Sequence, residues 1–512
     1  MKAAFPQSSV NRRAVRRWVV AAITVVLILA VFGALTLYRP MPRTIDRSSL
    51  AGSSVPHEVS QTQLTAYCPA RMSLSDTGSY GDTQYQASEG NIASSARYAA
   101  FGSVYKATID TLSGDGTQST ELENPDLLDS SSIKASSGNV DKGPTLVETK
   151  MLQAQRGTGT VSSVAAWATK GDLRGLSASS CITPALTQSF LLPAADGGST
   201  NQLVIANTSA KATTVNVTLW GTKTAGILTS ATGSSLSVAA HAQSMLDLGA
   251  AAPGQKGLLV TISSSETPVA AVVRSVRVDG LTDKGSDYAQ PLASASRHVV
   301  VPSVNEGDAV TMLMFSAVSA TATVSWIGAD GSGESQRHDL VGGKVSVIDL
   351  GKAPRGVSGI SVDATHPIRA EVRVADGGTS GQEDFALIGR GVSTDQSAVV
   401  VPDDITGTTT VINTTDNAGH ATIQAYDGKG KHVGTREVSL AAHGSTRITD
   451  ADISSDARLF MMTHGDGIIW GVRLSRDDVS KAGLAGVAYL ASQSLDIHSE
   501  RVWAKPDQGI VK

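Results

Sequence analysis

Two stretches one hundred residues apart, RHVVVPSVNEG (297–307) and SAVVVPDDITG (397–407), each run through Val to a Pro and then to acids and a Gly. A repeat at a fixed interval restricts the fold more than any composition does, because each copy must be one supersecondary unit. Following the pattern upstream, SFLLPAADGG ends its apolar run at Pro193, against Pro302 and Pro402. A second strand follows in NQLVIANTSA (201–210), VTMLMFSAVS (310–319) and TTTVINTTDN (408–417). The third strand ends in an aromatic and a Gly hairpin, which assigns Trp220, Trp326 and Tyr426 to one position. Later in each unit Arg274, Arg373 and Arg473 align at intervals of 99 and 100.

The N-terminal part fits the same template less well. TAYCP places Pro69 where later units carry their strand-ending Pro, and GTVSSVAAWATKGDLRGLSASSC (159–181) matches closing strands, with Trp167 near the arginine position. SERVWAKP (499–506) adds a fifth Pro-ended strand. Pro cannot donate to a ladder, so it belongs at a strand end or sheet edge. The series therefore counts four units and a closing strand.

Short alternating strands with frequent turns predict an all-β fold, consistent with 41% hydrophobic but only 4% aromatic residues. Seven or eight strands in about one hundred residues fit tandem immunoglobulin-like β-sandwich repeats. The alternative is a β-propeller with two four-stranded blades per repeat. The implied division is a cytoplasmic basic tail (1–17), a transmembrane helix (18–38), a tether (39–58), a degenerate first repeat (59–188), a second repeat (189–296), a third (297–396), and a fourth with the closing strand (397–512).

Trp18 to Tyr38 has no charge over 21 residues, enough for a helix to span a bilayer. Lys2, Arg12, Arg13, Arg16 and Arg17 precede it with no acid among them, so the positive-inside rule predicts a cytoplasmic N-terminus and an extracytoplasmic ectodomain. The run exceeds a usual signal-peptide core and lacks a following A-x-A site, which favours an uncleaved anchor. Six basic residues and no acids lie in 1–40, so the 42 basic and 46 acidic residues of the chain leave 41–512 with a net charge of −10. That balance argues against a nucleic-acid partner, since phosphate binding needs a basic face. The only cysteines, Cys68 and Cys181, fall on the predicted oxidising side and read as a structural disulfide.

TAYCPA (65–70), GLSASSCITPALTQSFLLP (175–193) and the following L-x-I-x-N and A-T-x-V-x-V strands resemble an uncharacterised family of actinobacterial envelope proteins, known only as a domain of unknown function. The resemblance covers most of 60–506 and departs at 191–193, where LeuLeuPro replaces the family's aromatic. It implies an N-terminal membrane anchor, a β-repeat ectodomain, no assigned reaction and an association with cell-envelope biogenesis.

No catalytic, cofactor-binding or metal-binding constellation emerges. Ser103-Val-Tyr-Lys106, with Ser137-Gly138-Asn139 and Lys223-Thr224-Ala225-Gly226, imitates a serine acyltransferase. That nucleophile must open a helix, whereas FGSVYKATI alternates as a strand. Asp450, Asp452 and Asp456 lack the Gly and terminal Glu of an EF loop and read as a solvated turn. The three aligned arginines are either a ligand ladder or, more simply, structural side chains whose stems cover apolar surface. The expectation is a non-catalytic, membrane-anchored scaffold whose partner is an envelope protein or wall polymer, with no cofactor. The alternative is an accessory subunit or enzyme of envelope polymer assembly with its site at an inter-repeat interface.

Overall fold

The computed structural model describes residues 23–30, 55–75, 87–114, 119–123, 132–195, 198–497 and 499–504. The predicted basic tail, transmembrane helix and tether lie largely outside them. Residues 23–30 are helical, and among the described residues no helix is long and apolar enough to cross a membrane. With 58% strand and 5% helix among the described residues, the fold is all-β. It forms two compact units, Ser60–His498 and a smaller one made of Met1–Val59 with Ser499–Lys512. In the smaller unit Val55–Ser60 pairs with Ser499–Ala504. The fifth Pro-ended strand thus neither opens nor closes a repeat. A short strand before it, Gln493–Ser494, pairs with the first strand of the fourth repeat instead.

Each repeat in the large unit contains two antiparallel sheets. Numbered along the repeat, their strand orders are 1-6-3-4 and 5-2-7-8. In the second repeat the first sheet is Thr187–Ala195, Gln255–Ser264, Thr213–Trp220 and Ser235–Val238. The second sheet is Ala242–Asp247, Ser199–Asn207, Ala270–Asp279 and Thr282–Ala289. Phe190, Leu192, Val217 and Val260 of one sheet share a core with Leu203, Ile205, Ala271 and Val273 of the other. That is a sandwich, and the strand order inside it is the repeat's own. In the third repeat a single 19-residue strand, Gly359–Gly377, supplies both the sixth and the seventh strand and joins the two sheets.

The runs that end in Pro explain how the sandwiches assemble. Period-2 geometry sends successive side chains to opposite faces, so an unbroken apolar run means that both faces are covered. Val299 and Val301 enter the third repeat's own core, while Val300 meets Ile327, Ile412 and Ile469 at the joint with the fourth repeat. Leu191 turns away from Phe190 and Leu192 to meet Leu259, Leu313, Phe315 and Val345 between the second and third repeats. Tyr67 joins Val204, Val272 and Tyr288 between the first and second. Val400 joins Phe101, Val161 and Leu459 between the fourth and the first.

The last of these joints closes the four repeats into a ring. Polar contacts secure it: the buried Arg97 donates to Val401 O at 2.8 Å and Gly428 O at 2.9 Å and pairs with Asp403, while Ser163 Oγ donates to Val400 O at 2.6 Å. Among the described residues the circuit holds seven hydrogen-bonded sheets, one of which serves the third repeat as two, against the eight that the propeller alternative required. Propeller blades, however, are separate sheets completed one after another, whereas here the chain of each repeat passes back and forth between its two sheets, and in the third repeat the two are fused through one strand.

The eighth strands, Gly175–Ser180, Thr282–Ala289, Glu383–Gly389 and Ala488–Ala491, are sheet edges that converge on one axis. Cys68 ends the first strand of the first repeat and Cys181 follows its eighth. They form a disulfide with Cα atoms 4.3 Å apart across 113 residues of sequence. Tyr67 and Ile182 beside them exchange backbone hydrogen bonds at 2.8 and 2.7 Å. Replacing both cysteines by Ser is expected to lower the stability of the first repeat by about 2–5 kcal/mol. Denaturant unfolding under oxidising conditions checks this, and an unchanged midpoint would refute it.

Candidate functional site

Strand register decides what the aligned residues do. Arg274, Arg373 and Arg473 pair with Gln202, Thr311 and Thr408 at one position of the second strand. They emerge on the face that meets a neighbouring repeat, and each is used differently. Arg274 reaches Ser73 Oγ of the first repeat at 2.9 Å. Arg373 lies 4.8 Å from the Phe385 ring centroid, and burial lowers it to about 10. Arg473 forks onto Asp308 of the third repeat, at 2.6 and 2.8 Å. The three are therefore structural arginines at joints. In the first repeat the matching residue is Val164, opposite Ala96, so Trp167 lies three residues further on, under the Arg476 guanidinium at 3.8 Å.

The aromatic position also separates. Trp220 and Tyr426 pair with Leu259 and Leu459 and face the neighbouring repeat. Trp326 pairs with Ile360, whose place in the second repeat is held by Leu258, so it lies one residue further along. A one-residue slip reverses the face, and Trp326 enters its own core.

The serine motif does not assemble. Ser103 is buried and its Oγ accepts from Gln155, whereas Lys106 pairs with Glu121 on the other side of the strand. The expected solvated turn holds only in part: Asp450 is buried and accepts from Gly407 N at 2.7 Å, while Asp452 accepts from Thr449 N at 2.7 Å. Among the described residues no cluster of three or more His, Cys, Asp or Glu side chains could hold a metal ion.

Between the third and fourth repeats lies a polar cavity of about 610 Å³. Asp308 and Arg473 floor it, Glu306 and Asp376 stand on its rim, and Gly377, Gly378 and Gly483 leave one wall as bare backbone. Asn305 N donates to Asp308 at 2.7 Å, which fixes the carboxylate under the guanidinium. With Arg473 engaged, the cavity presents acceptors and backbone amides, a lining suited to a hydroxyl-rich or cationic group.

Three acids with no signature in the repeat pattern lie near the ring axis. Asp384 accepts from Leu176 N at 2.8 Å, Val487 N at 3.0 Å and Ser286 N at 3.3 Å, collecting donors from the other three repeats. Asp287 accepts from Leu387 N at 2.8 Å and Ala178 N at 3.3 Å. Gly175 and Gly285, both at positive φ, allow this approach, because a Cβ on either would come within 2.6 Å of the Asp384 carboxylate. Burial raises Asp287 to about 8 and raises Asp384 and Glu371 well above the carboxylate range, with the Asp287 charge adding to the effect at Glu371. The clue available in sequence was a contrast: register sets Asp287 opposite Ser275, where the other repeats carry Ala178, Ala386 and Ala488.

The family of unknown function DUF5719 matches residues 135–451, more than half of the chain. The chain belongs to that family. The DUF5719 segment starts in the fifth strand of the first repeat and ends just past the fifth strand of the fourth, so it contains the whole joint between the second and third repeats. No curated protein matches the chain. The α-L-rhamnosidase of Streptomyces avermitilis aligns over 82% of this chain and 58% of its own at 9% identity, with a TM-score of 0.11. The pilus adhesin SpaC of Lactobacillus rhamnosus GG aligns over 80% and 57% at 8% identity, with a TM-score of 0.09. The chain spans less than two thirds of either protein, and at such scores neither guides fold or function.

Two substitutions probe these sites. Asp287 holds a proton in the folded state that the unfolded chain releases, so stability should fall as pH rises from about 4 to about 8. Asp287→Asn cannot ionise, and its melting temperature should fall less steeply across that range; parallel slopes would count against a protonated Asp287. Asp308→Ala strands the Arg473 guanidinium and should cost about 2–4 kcal/mol, with faster amide exchange confined to the joint between the third and fourth repeats.

Proposed function

We propose that the chain is a non-catalytic, membrane-anchored scaffold of the actinobacterial cell envelope. Residues 18–38 hold it in the membrane and the ring lies on the outer side, where it recruits an envelope protein or a wall polymer. The observation that supports this most is the construction of the ring: four repeats keep one strand plan and one type of core, yet their joints differ in residue chemistry. The joint between the second and third repeats is apolar, that between the fourth and first is stitched by Arg97, and that between the third and fourth is a polar cavity. A shared frame with diversified interfaces is what selective binding requires. The uncharged run flanked by arginines supports the anchor, and two oxidised cysteines suit an oxidising compartment.

The polar cavity also favours a second reading, an accessory subunit of polymer assembly whose site is formed between repeats. The two readings differ in what the cavity handles: a scaffold holds a chain it does not alter, and a subunit acts with an enzyme beside it.

Crosslinking in intact membranes followed by gentle solubilisation is expected to recover the protein with one defined partner. Elution as a lone monomer would overturn the proposal. Protease added to cells with a permeabilised outer layer should digest the ring and spare the first seventeen residues, and the reverse pattern would invert the topology.

A further inference from the structure

A second cavity, of about 690 Å³, lies between the first and second repeats. Its volume is within the range of small-molecule sites. Among the described residues its lining includes Lys142, His241, Ser113, Asn139, Thr145 and Gln243 and no carboxylate. The adjacent acid, Asp141, is directed elsewhere, with its carboxylate on Ser94 Oγ at 2.7 Å and within 3.9 Å of Arg71. The cavity is therefore cationic and rich in hydrogen-bonding groups, unlike the acidic one across the ring.

The repeats provide an internal comparison for His241. It occupies the turn before the fifth strand, at φ +49°, and His443 occupies the same turn of the fourth repeat at φ +55°. The surroundings correspond bond by bond. Asn207 Oδ1 accepts from Ser209 N and Asn413 Oδ1 from Thr415 N, both at 3.0 Å. His241 N donates to Ser209 O and His443 N to Thr415 O, both at 3.2 Å. The next residue differs: Asp416 grips the His443 ring at 2.8 Å, whereas the second repeat has Ala210 there. Among the described residues the His241 ring has no side-chain partner, although its backbone is kept in a left-handed conformation that non-Gly residues seldom adopt. Lys142 likewise has no acidic partner among them.

We propose that this cavity binds a hydroxyl-rich anion, a sugar ring carrying a carboxylate or a phosphate. Lys142 and His241 take the charged group, and Ser113, Asn139 and Thr145 take ring hydroxyls. Leu112 and Pro144 supply an apolar floor. The site is a property of one joint and does not depend on whether the ring recruits a partner.

Full-length protein in detergent is titrated with glucuronate, glucose 6-phosphate, glucose and inorganic phosphate, with binding followed by calorimetry. The two sugar anions are expected to bind at least tenfold more tightly than glucose or phosphate. Preference for only one of them identifies its charged group as the one recognised. Equal affinity for phosphate and glucose 6-phosphate would overturn the sugar assignment, and no preference over glucose would overturn the site. Ala210→Asp installs the acid that the fourth repeat carries, so that it captures His241 without removing any lining side chain. It should weaken binding about tenfold, and so should Lys142→Ala, each removing one charge-assisted hydrogen bond. Asp416→Ala, in the fourth repeat, should leave binding unchanged. If Ala210→Asp and Lys142→Ala both melt as the native protein does and bind as well, the proposal fails.

Discussion

Four sheet edges meeting at one axis set the terms for this architecture. An edge strand exposes backbone donors that must find acceptors when buried, and proteins usually screen such edges from one another. Here the edges are turned inward, and side chains serve as the missing ladder partners. Asp384 takes one N–H from each of three repeats, and Asp287 takes one from the first repeat and one from the third. Gln382 extends the arrangement by accepting from Ala485 N and donating to Ala485 O. The meeting of the sandwiches at a closed centre could not leave those amides unpaired.

That requirement explains the asymmetry among repeats that otherwise share a plan. One carboxylate serves three strands, so the axis needs Asp384 once, and Gly285 at the matching position of the second repeat, with Gly175 in the first, leaves room to admit it. Four identical acids would instead crowd like charges in a buried space. Similar logic applies at the joints, where a single strand position carries three arginines engaged with a hydroxyl, an aromatic face and a carboxylate. Divergence has been permitted wherever two different repeats meet, and held back where each faces its own core.

The repeat length, the all-β class and most strands were legible in the sequence because alternation and turn residues act locally. The disulfide was legible because only two cysteines exist. Ring closure was less so: Val299, Val300 and Val301 announce burial on both faces, but nothing in them names the fourth repeat as what covers Val300. Register was the weakest point. Aligning Trp326 with Trp220 and Tyr426 by eye is wrong by one residue, and in a strand one residue is the difference between core and joint. The axial acids escaped notice because an Asp two or three residues after a Gly, as at Gly285 and Gly381, reads as part of a turn. Only convergence of four distant segments gives it its role.

The chain enters and leaves the ring at the same place, since Leu64, Thr65 and Ala66 share one small cavity with Gln493, Ser494 and Asp496. Tension applied to the chain ahead of residue 60 would run along Gln63–Cys68 and cross directly to Cys181. The segment between the two cysteines would then carry none of it. Seen as a mechanical element, the disulfide is a bypass that spares the least regular repeat from being pulled open and passes the force to the second.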